Sequence, residues 1–280
     1  MAVGDRVVHG DKTLTEPTLI SPSVLRQLDR LIPLAPLHQP HSFAAIRPVA
    51  TWQPDIPQIA CFDTSFHRSQ NRLAQLFALP RALSDEGVIR YGFHGLSYEY
   101  IASVLPEYLG AAAGSRVTVA HLGNGASMCT MHDGKNAATS MGFTALDDLM
   151  MGRRCVALDP GVVLDLMQEK GLSADEVGNL LYKQSGLLGV SGISNDMQVL
   201  QDSSDPHARE AIDLFCYRAA SSLADLVPSS GGLDALVFTA GIGENSAMVR
   251  RLICAQLDWL GVDVSQTTND RDAPTISTAT

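Results

Sequence analysis

VTVAHL at residues 117–122 passes directly into GNGAS at residues 123–127, and this junction decides the fold class. A second apolar run, LDALVF at residues 233–238, passes in the same way into TAGIGENS at residues 239–246. A buried strand that ends in a Gly-x-Gly turn brings backbone N–H groups close to a ligand with no side chain in the way, as a phosphate requires. Two such turns in one chain predict a nucleotide held between them in an α/β protein.

Composition and charge narrow the class of protein. The chain has 280 residues, of which 45% are hydrophobic, and this is enough to bury a sizeable core. Its net charge of −10 argues against a nucleic-acid partner, because surfaces that bind polyanions are rich in Lys and Arg. The five cysteines are widely separated, so neither a zinc ribbon nor a disulfide framework is indicated. No apolar stretch approaches the length of a membrane span, so we expect a cytoplasmic protein without a membrane partner.

Helix and strand signals alternate along the chain. Apolar spacing, capping residues and glycine stops predict helices at residues 22–32, 97–105, 160–170, 173–184, 208–226 and 245–260. Strands are predicted at residues 57–62, 116–122 and 233–238, and a hairpin turn is predicted at Asp133 and Gly134. The strand followed by Gly-x-Gly is the one pattern that recurs, and it indicates a duplicated fold core rather than a solenoid.

Seven short stretches together carry a resemblance to a known family. In chain order they are RVVHG (6–10), LAPLH (34–38), FDTSFH (62–67), RYGFHG (90–95), HLGNG (121–125), SMGFT (140–144) with MG (151–152), and AGIGENS (240–246). The series resembles the successive signatures of the acetate kinase family, from about Val3 to the end of the chain. The resemblance implies the acetate and sugar kinase/Hsp70/actin (ribonuclease H-like) superfamily fold, with two duplicated α/β domains of which the first is incomplete. It places residues 1–64 in a remnant of the N-terminal, acceptor-side domain and residues 65–280 in the nucleotide-binding C-terminal domain.

The resemblance also implies an activity. The family moves the γ-phosphoryl group of ATP to a short carboxylate and back, so we expect a kinase that acts on acetate or propionate, with Mg²⁺ accompanying ATP or ADP, and a homodimer. Phosphoryl transfer requires two anions to be aligned and their charge neutralised. Arginine forks suit both anions, and by similarity these are Arg6 and Arg154. Either one could otherwise be a surface arginine on a loop.

By resemblance, the catalytic residues are Asp63, His94 and Arg154. Asp63 follows the predicted strand 57–62, and strand carboxyl ends open onto the ligand crevice in α/β proteins. The alternative for Asp63 is a helix N-cap, and the alternative for His94 is a packed core histidine. His38 matches a further active-site histidine of the family, or it only orders the loop at residues 36–40.

Other site residues are assigned by resemblance. The acyl group is expected to contact Arg6, Val8, Leu37, Phe93 and Ala145. The nucleotide is expected to contact His121, Leu122, Gly123, Asn124 and Gly125, then Asp196, Met197 and Gln198, and finally Gly241, Ile242, Gly243, Glu244 and Asn245. A single Gly-x-Gly is often only a tight turn, Asp196 could be an exposed helix cap, and His121 could simply fix a strand end.

The sequence departs from the family pattern at several points. Ala145 stands in place of a proline, Gln198 in place of an arginine, and RRCVALDP (153–160) in place of a more polar run. The family's opening phosphate-binding hairpin and closing strand, which contact the metal, have no counterpart, so no metal ligand is assigned and slower transfer is expected. The alternatives are a catalytically impaired relative that binds nucleotide or a dimer partner without turnover, and a poorly folding fragment. Butyrate kinase and an Hsp70- or actin-like ATPase explain the motifs less well.

Overall fold

The computed structural model describes residues 1–278 and divides the chain into two compact units. Unit 1 comprises residues 1–115 and 131–145. Unit 2 comprises residues 116–130 and the described part of 146–280. Each unit contains a pair of parallel strands, and predicted site residues lie at the carboxyl ends of both pairs.

The described residues form strands and helices with the following bounds. The strands are β1 (Val3–Val7), β2 (Thr18–Leu19), β3 (Gln58–Phe62), β4 (Arg116–Leu122), β5 (Ala126–His132), β6 (Lys135–Thr139) and β7 (Ala235–Thr239). The α-helices are α1 (Pro22–Asp29), α2 (Gln39–Trp52), α3 (Arg72–Gln75), α4 (Arg81–Glu86), α5 (Gly95–Leu109), α6 (Pro160–Gln168), α7 (Ala174–Lys183), α8 (Gly186–Ser191), α9 (Met197–Gln201), α10 (Pro206–Ser230), α11 (Ala240–Asn245), α12 (Ala247–Cys254) and α13 (Gln266–Asn269). The two sheets have the strand orders β1-β3-β2 and β6-β5-β4-β7.

Unit 1 is organised around the parallel pair β1 and β3. Arg6 lies opposite Cys61 and Val7 lies opposite Phe62, so both strands end at the same edge of the sheet. β2 adds an antiparallel strand on the other side of β3. The sheet packs against α1 and α2 through an apolar cluster of Val7, Leu28, Leu31, Phe43, Ile46, Ala60 and Phe62. This core fixes the end of β3, and Asp63 is the next residue.

Unit 2 is organised around the parallel pair β4 and β7. In this pair His121 lies opposite Thr239, so the two Gly-x-Gly turns follow neighbouring strand ends. The long helix α10 contacts β4 and also α8, α9 and α12. Its buried face repeats at three- and four-residue intervals through Ala208, Ala211, Ile212, Phe215, Cys216, Ala219, Ala220, Leu223 and Leu226. The helix therefore buries the strand that leads into the first turn.

The predicted elements are present, with shifted ends. The mixed α/β class is confirmed, and both strands that precede Gly-x-Gly turns lie where the apolar runs predict them. The hairpin turn at Asp133 and Gly134 has positive φ at both residues, 52° and 66°, as two-residue hairpin turns favour. The helix predicted at 245–260 is shorter, because Ser246 leaves the helical conformation and caps α12.

Helix α2 was not predicted from the sequence. Its residues include Pro40 and Pro48, which the sequence alone presents as helix breakers. Pro40 lies in the first turn, where the missing N–H has no intrahelical acceptor. Burial of Phe43 and Ile46 in the apolar cluster outweighs the cost of the interior Pro48.

The compact units do not follow the predicted domain boundary between residues 64 and 65. Residues 65–115 lie in unit 1, because the start of α5 rests on Asp63 and His67 is hydrogen bonded to Phe93. The predicted boundary stays a prediction. The last two residues of the predicted C-terminal domain, 279 and 280, lie outside the described part of the chain. No helix among residues 1–278 combines the length and the apolar character that a bilayer span needs.

Candidate active site

The structure joins the exposed Arg6 and the buried Asp63 in an ion pair in unit 1. Nε of Arg6 donates to Oδ1 and Oδ2 of Asp63 at 3.2 and 3.1 Å, and Nη2 donates to Oδ2 at 2.6 Å. The Asp63 side chain is 1% exposed, whereas 56% of the Arg6 side chain remains exposed. Nη1 of Arg6 has no hydrogen-bond partner among residues 1–278, so its two N–H groups could donate to an anion.

The charge on Asp63 depends on its partners. Burial raises the pKa of the Asp63 carboxyl, while the hydrogen bonds and charge of Arg6 and the backbone N–H of Leu96 oppose that rise. The hydrogen bonds that Arg6 donates to Asp63 raise the pKa of Arg6 in turn. A carboxylate bonded through two guanidinium nitrogens is held as an anion, and it fixes the orientation of the guanidinium.

The start of α5 approaches Asp63 very closely. A Cβ added to Gly95 would lie 1.9 Å from the Asp63 carbonyl oxygen, so only glycine allows this contact. His94 precedes it with a left-handed backbone, φ 57° and ψ 18°, which is costly for a residue with a side chain. The His94 ring is half-buried. The tight turn therefore places His94 directly before the glycine that contacts Asp63, and all three residues belong to unit 1.

His67 supports this turn through a hydrogen bond to its backbone. It is fully buried, its Nε2 is hydrogen bonded to the Phe93 carbonyl at 2.8 Å, and its Nδ1 to the Asn136 amide at 2.6 Å. A Cβ on Gly92 would lie 2.4 Å from the His67 ring. Burial lowers the pKa of His67 to about 4, so the ring is neutral near pH 7. His67 ends the FDTSFH motif, and the sequence alone gives it no role.

The residues predicted to contact the acyl group differ in burial. Val8, Phe93 and Ala145 are buried, and Leu37 is half-buried in the loop before α2. His9 is also fully buried, and its ring meets those of Tyr91 and Phe93 edge-on. Burial lowers the pKa of His9 to about 4. All of these residues belong to unit 1.

In unit 2 the two Gly-x-Gly turns lie side by side. A Cβ placed on Gly123 would stand 3.6 Å from Cβ of Ala240. Gly123 N–H donates to the Gly125 carbonyl at 3.1 Å, which closes the first turn. His121 and Leu122 end the strand that leads into it, and Leu122 is fully buried. The structure thus brings both predicted nucleotide turns to one sheet edge.

Asn124 anchors the loop that carries Arg154. Its carbonyl accepts from Gly152 N–H at 3.0 Å, and its Oδ1 accepts from Asn195 Nδ2 at 3.2 Å. A Cβ on Gly152 would lie 1.8 Å from Asn124 Oδ1, so this glycine is also required by packing. Arg153 reaches the same network, because its Nη2 donates to Asn195 Oδ1 at 3.3 Å.

Arg153 and Arg154 have different environments. Arg153 is exposed, whereas Arg154 is half-buried. Burial lowers the pKa of Arg154, and the charge of Asp148 opposes that shift. The backbone around them is tied to the start of α8, where Gly186 would carry a Cβ only 2.1 Å from the Met151 carbonyl. Arg154 is thus the more buried of the two arginines.

The second Gly-x-Gly lies at the start of the short helix α11, which the sequence predicted as a turn; residues 239–245 are called the second turn below, and their own side chains brace them. Oε1 of Glu244 accepts from Ala240 N–H and from the Thr239 hydroxyl, each at 3.0 Å. Nδ2 of Asn245 donates to the Gly241 carbonyl at 2.9 Å. A Cβ on Gly241 would meet no atom of the protein within 4 Å. Gly243 is buried against β4 and β7, while Ile242 is half-buried.

Asp196, Met197 and Gln198 lie at the start of α9. Asp196 is the N-cap, and its Oδ1 accepts from the backbone N–H groups of Gln198 and Val199. The Gln198 side chain donates to the Asp202 carboxylate at 3.1 Å. Met197 is buried.

The structure places His38 at the N-cap of α2, where it makes no side-chain capping bond.

No group of three or more His, Cys, Asp and Glu side chains within residues 1–278 is arranged to bind a metal ion. A Mg²⁺ ion in phosphoryl transfer is commonly held mainly by substrate phosphates and water. All five cysteines are free.

The family model, the similar sequences and the similar structures all indicate the same family. Residues 1–279 match the model of the Acetokinase family. An acetate kinase of Rhodopseudomonas palustris is 58% identical over 269 residues, which cover 96% of this chain and 68% of that protein. A crystal structure of a propionate kinase from Francisella tularensis matches with a TM-score of 0.94 and 38% identity, over 99% of this chain and 73% of that one. The acetate kinase structure from Porphyromonas gingivalis matches with a TM-score of 0.88 and 35% identity, over 99% and 70% of the two chains.

The two α/β units, with their paired glycine turns and arginine-bound aspartate, have the acetate and sugar kinase/Hsp70/actin fold, and the fold class predicted from sequence is confirmed. The chain belongs to the acetokinase family.

Proposed function

We propose that this chain transfers the γ-phosphoryl group of ATP to acetate or propionate, giving the acyl phosphate and ADP, and that it catalyses the reverse reaction. In the forward direction a carboxylate oxygen of the acceptor forms a bond to the γ-phosphorus. The bond between that phosphorus and the β,γ-bridging oxygen breaks, and its electron pair leaves with ADP. Positioning and charge neutralisation are the protein's main contributions to such a transfer.

The orientation of Arg6 by Asp63 is the observation that carries this proposal. The Nε and Nη2 groups of Arg6 are occupied by the buried carboxylate, while Nη1 is available to an anion. An arginine fixed in this way pays little entropy when it binds a carboxylate or phosphate oxygen. We assign Arg6 to the acceptor carboxylate or the transferring phosphoryl group, with Asp63 as the residue that orients it.

His94 and Arg154 complete the proposed catalytic set. His94 sits half-buried at a left-handed turn, and we assign it a hydrogen bond to the transferring phosphoryl group. Arg154 is partly desolvated, which strengthens its interaction with a developing negative charge. Val8, Leu37, Phe93 and Ala145 are the proposed apolar contacts of the acyl group.

The nucleotide is assigned to the paired turns of unit 2. We place the phosphates at the backbone N–H groups of Gly123, Asn124 and Gly125 and the adenosine along Gly241–Asn245, with contributions from the start of α9. Two observations support this placement of the nucleotide: the two turns lie close together, and a Cβ on Gly241 would meet no protein atom within 4 Å. Mg²⁺ would arrive with ATP or ADP as part of the substrate. A homodimer and a cytoplasmic location are also proposed on the basis of family membership.

Trapping of the acyl phosphate with hydroxylamine tests the proposal. The chain is incubated with ATP, excess magnesium and acetate, propionate or no acceptor, and the acyl hydroxamate is measured. We expect product with acetate or propionate and none without an acceptor. A chain that binds ADP by thermal shift and forms no hydroxamate with either acid would instead be an impaired relative without turnover.

A further inference from the structure

We infer that Arg250 is a positioning residue that sets the affinity for the nucleotide by fixing the turn at residues 239–245. This inference rests on the proposed nucleotide site in unit 2. Arg250 lies on α12, outside the predicted site residues, and only 3% of it is exposed. A fully buried arginine is rare unless each of its N–H groups has an acceptor.

All five N–H groups of the Arg250 guanidinium have acceptors. Nη1 donates to the carbonyls of Gly243 and Glu244 at 2.9 and 2.7 Å. Nε donates to Oδ1 of Asn269 at 2.7 Å. Nη2 donates to the Asn269 carbonyl at 2.8 Å and to the Asp272 carboxylate at 2.5 Å. The guanidinium therefore joins the last residues of the turn to the segment at 269–272.

The turn contains a conformation that needs external support. Ala240 has φ 66°, in the left-handed region that residues with a side chain rarely adopt. Such a residue persists only where its surroundings over-determine the backbone. Glu244 provides part of that support by accepting from Ala240 N–H, and Glu244 can do so only while its own backbone is held. Arg250 holds that backbone through the two carbonyls of Gly243 and Glu244.

Asn269 is itself held in place where it accepts from Arg250. It is fully buried, and its Nδ2 donates to the Ala247 carbonyl at 2.8 Å, at the start of the helix that carries Arg250. Asp272 is the outer acceptor, and half of its side chain is exposed. Arg250 thus has an inner set of acceptors that the core protects and one outer acceptor that solvent reaches. The outer acceptor can be removed with little risk to folding.

The inference predicts which substitutions weaken nucleotide binding. Lysine at 250 keeps the charge but has three donors on one atom, so it cannot span both carbonyls and Asn269. If the turn then adopts its binding conformation about a tenth of the time, the Kd for ADP rises about tenfold. Asp272→Asn should raise it less, by about two- to threefold, because the inner bonds remain. Arg251, exposed on the same helix, provides the matched control.

The experiment measures ADP affinity by calorimetry and backbone exchange by hydrogen–deuterium mass spectrometry in the wild type, Arg250→Lys, Asp272→Asn and Arg251→Lys. We expect faster exchange at residues 240–246 and weaker ADP binding in Arg250→Lys, the same changes at smaller size in Asp272→Asn, and none in Arg251→Lys. Exchange within α10 should stay unchanged, which shows that the variants are folded. A folded Arg250→Lys with wild-type exchange at 240–246, or one with wild-type ADP affinity, overturns the inference. A wild type that does not bind ADP overturns the proposed function itself.

Discussion

The buried carboxylate of Asp63 receives the guanidinium of Arg6 through both Nε and Nη2, with the shorter contact at 2.6 Å. The two partners are unequal, because Asp63 is 1% exposed and the Arg6 side chain is 56% exposed. Removing Arg6 leaves a buried charge without its counter-ion, whereas Asp63→Asn removes that charge. The two substitutions should therefore have different effects on stability and similar effects on activity.

We predict that Arg6→Ala lowers the free energy of unfolding by about 2 kcal/mol, a value reduced because Arg6 is exposed, and that Asp63→Asn lowers it by less than about 1 kcal/mol. Both variants should lose at least about 10²-fold in kcat, because each removes the oriented guanidinium. Urea denaturation and the hydroxamate assay measure the two quantities. Equal losses of stability would show that the desolvation of Asp63 is not the dominant cost.

Gly95 and Gly178 form a matched pair of glycine substitutions. Gly95→Ala would place Cβ 1.9 Å from the Asp63 carbonyl, so α5 must shift and its Leu96 N–H must leave the carboxylate. We expect a loss of about 1–3 kcal/mol in stability and a large loss of activity. Gly178 lies inside α7, and a Cβ there would meet nothing within 4 Å. Gly178→Ala should raise stability by up to about 1 kcal/mol and leave activity unchanged. An active, stable Gly95→Ala would contradict the close approach.

Two buried histidines predict acid sensitivity. The pKa values of His9 and His67 fall to about 4 in the folded chain, below the usual 6.5, because burial disfavours the charged ring. Since the unfolded chain binds more protons, the stabilisation is complete above pH 6.5 and is lost as the pH falls toward 4. Between pH 7 and pH 5 each histidine should account for about 2 kcal/mol of lost stability. Urea midpoints at the two pH values measure the loss. His67→Gln should reduce it by about half, and an unchanged pH dependence would rule out His67 as its source.

The adjacent arginines give a further prediction. Arg154→Ala should lower kcat/KM by an amount equivalent to about 2–5 kcal/mol, since Arg154 is partly desolvated. Arg154→Lys should recover only part of the loss, because a point charge does not reproduce the guanidinium fork. Arg153→Ala should change little, since Arg153 is exposed and bonded to Asn195. If Arg153→Ala proves the crippling change, the assignment of this segment is displaced by one residue.

Local signals in the sequence predicted the strand ends but not the bonds between distant segments. An apolar run followed by glycines is sufficient to place β4 and β7 with their turns. The Arg6–Asp63 pair joins residues 57 positions apart, and the family resemblance assigned both residues to the site without pairing them. Helix α2 was missed, since a loop was expected at residues 36–40 and no helix was predicted after it, and packing of Phe43 and Ile46 supports the helix despite Pro40 and Pro48.

The supporting residues of the site were harder to predict than those proposed to contact ligand. His67 and Arg250 act through backbone carbonyls of Phe93, Gly243 and Glu244. A carbonyl acceptor leaves no mark on residue type, so no sequence pattern indicates these bonds. Complete burial of an imidazole and a guanidinium is the structural signal that reveals them.

ATP synthesis in the reverse direction tests the central claim most directly. Acetyl phosphate and ADP are supplied with excess magnesium, and ATP is followed by luciferase luminescence for the wild type and for Asp63→Asn at equal concentrations of folded protein. We expect ATP formation that depends on acetyl phosphate in the wild type and falls at least about 10²-fold in Asp63→Asn. No ATP from the folded wild type, or equal rates in the two proteins, would contradict it.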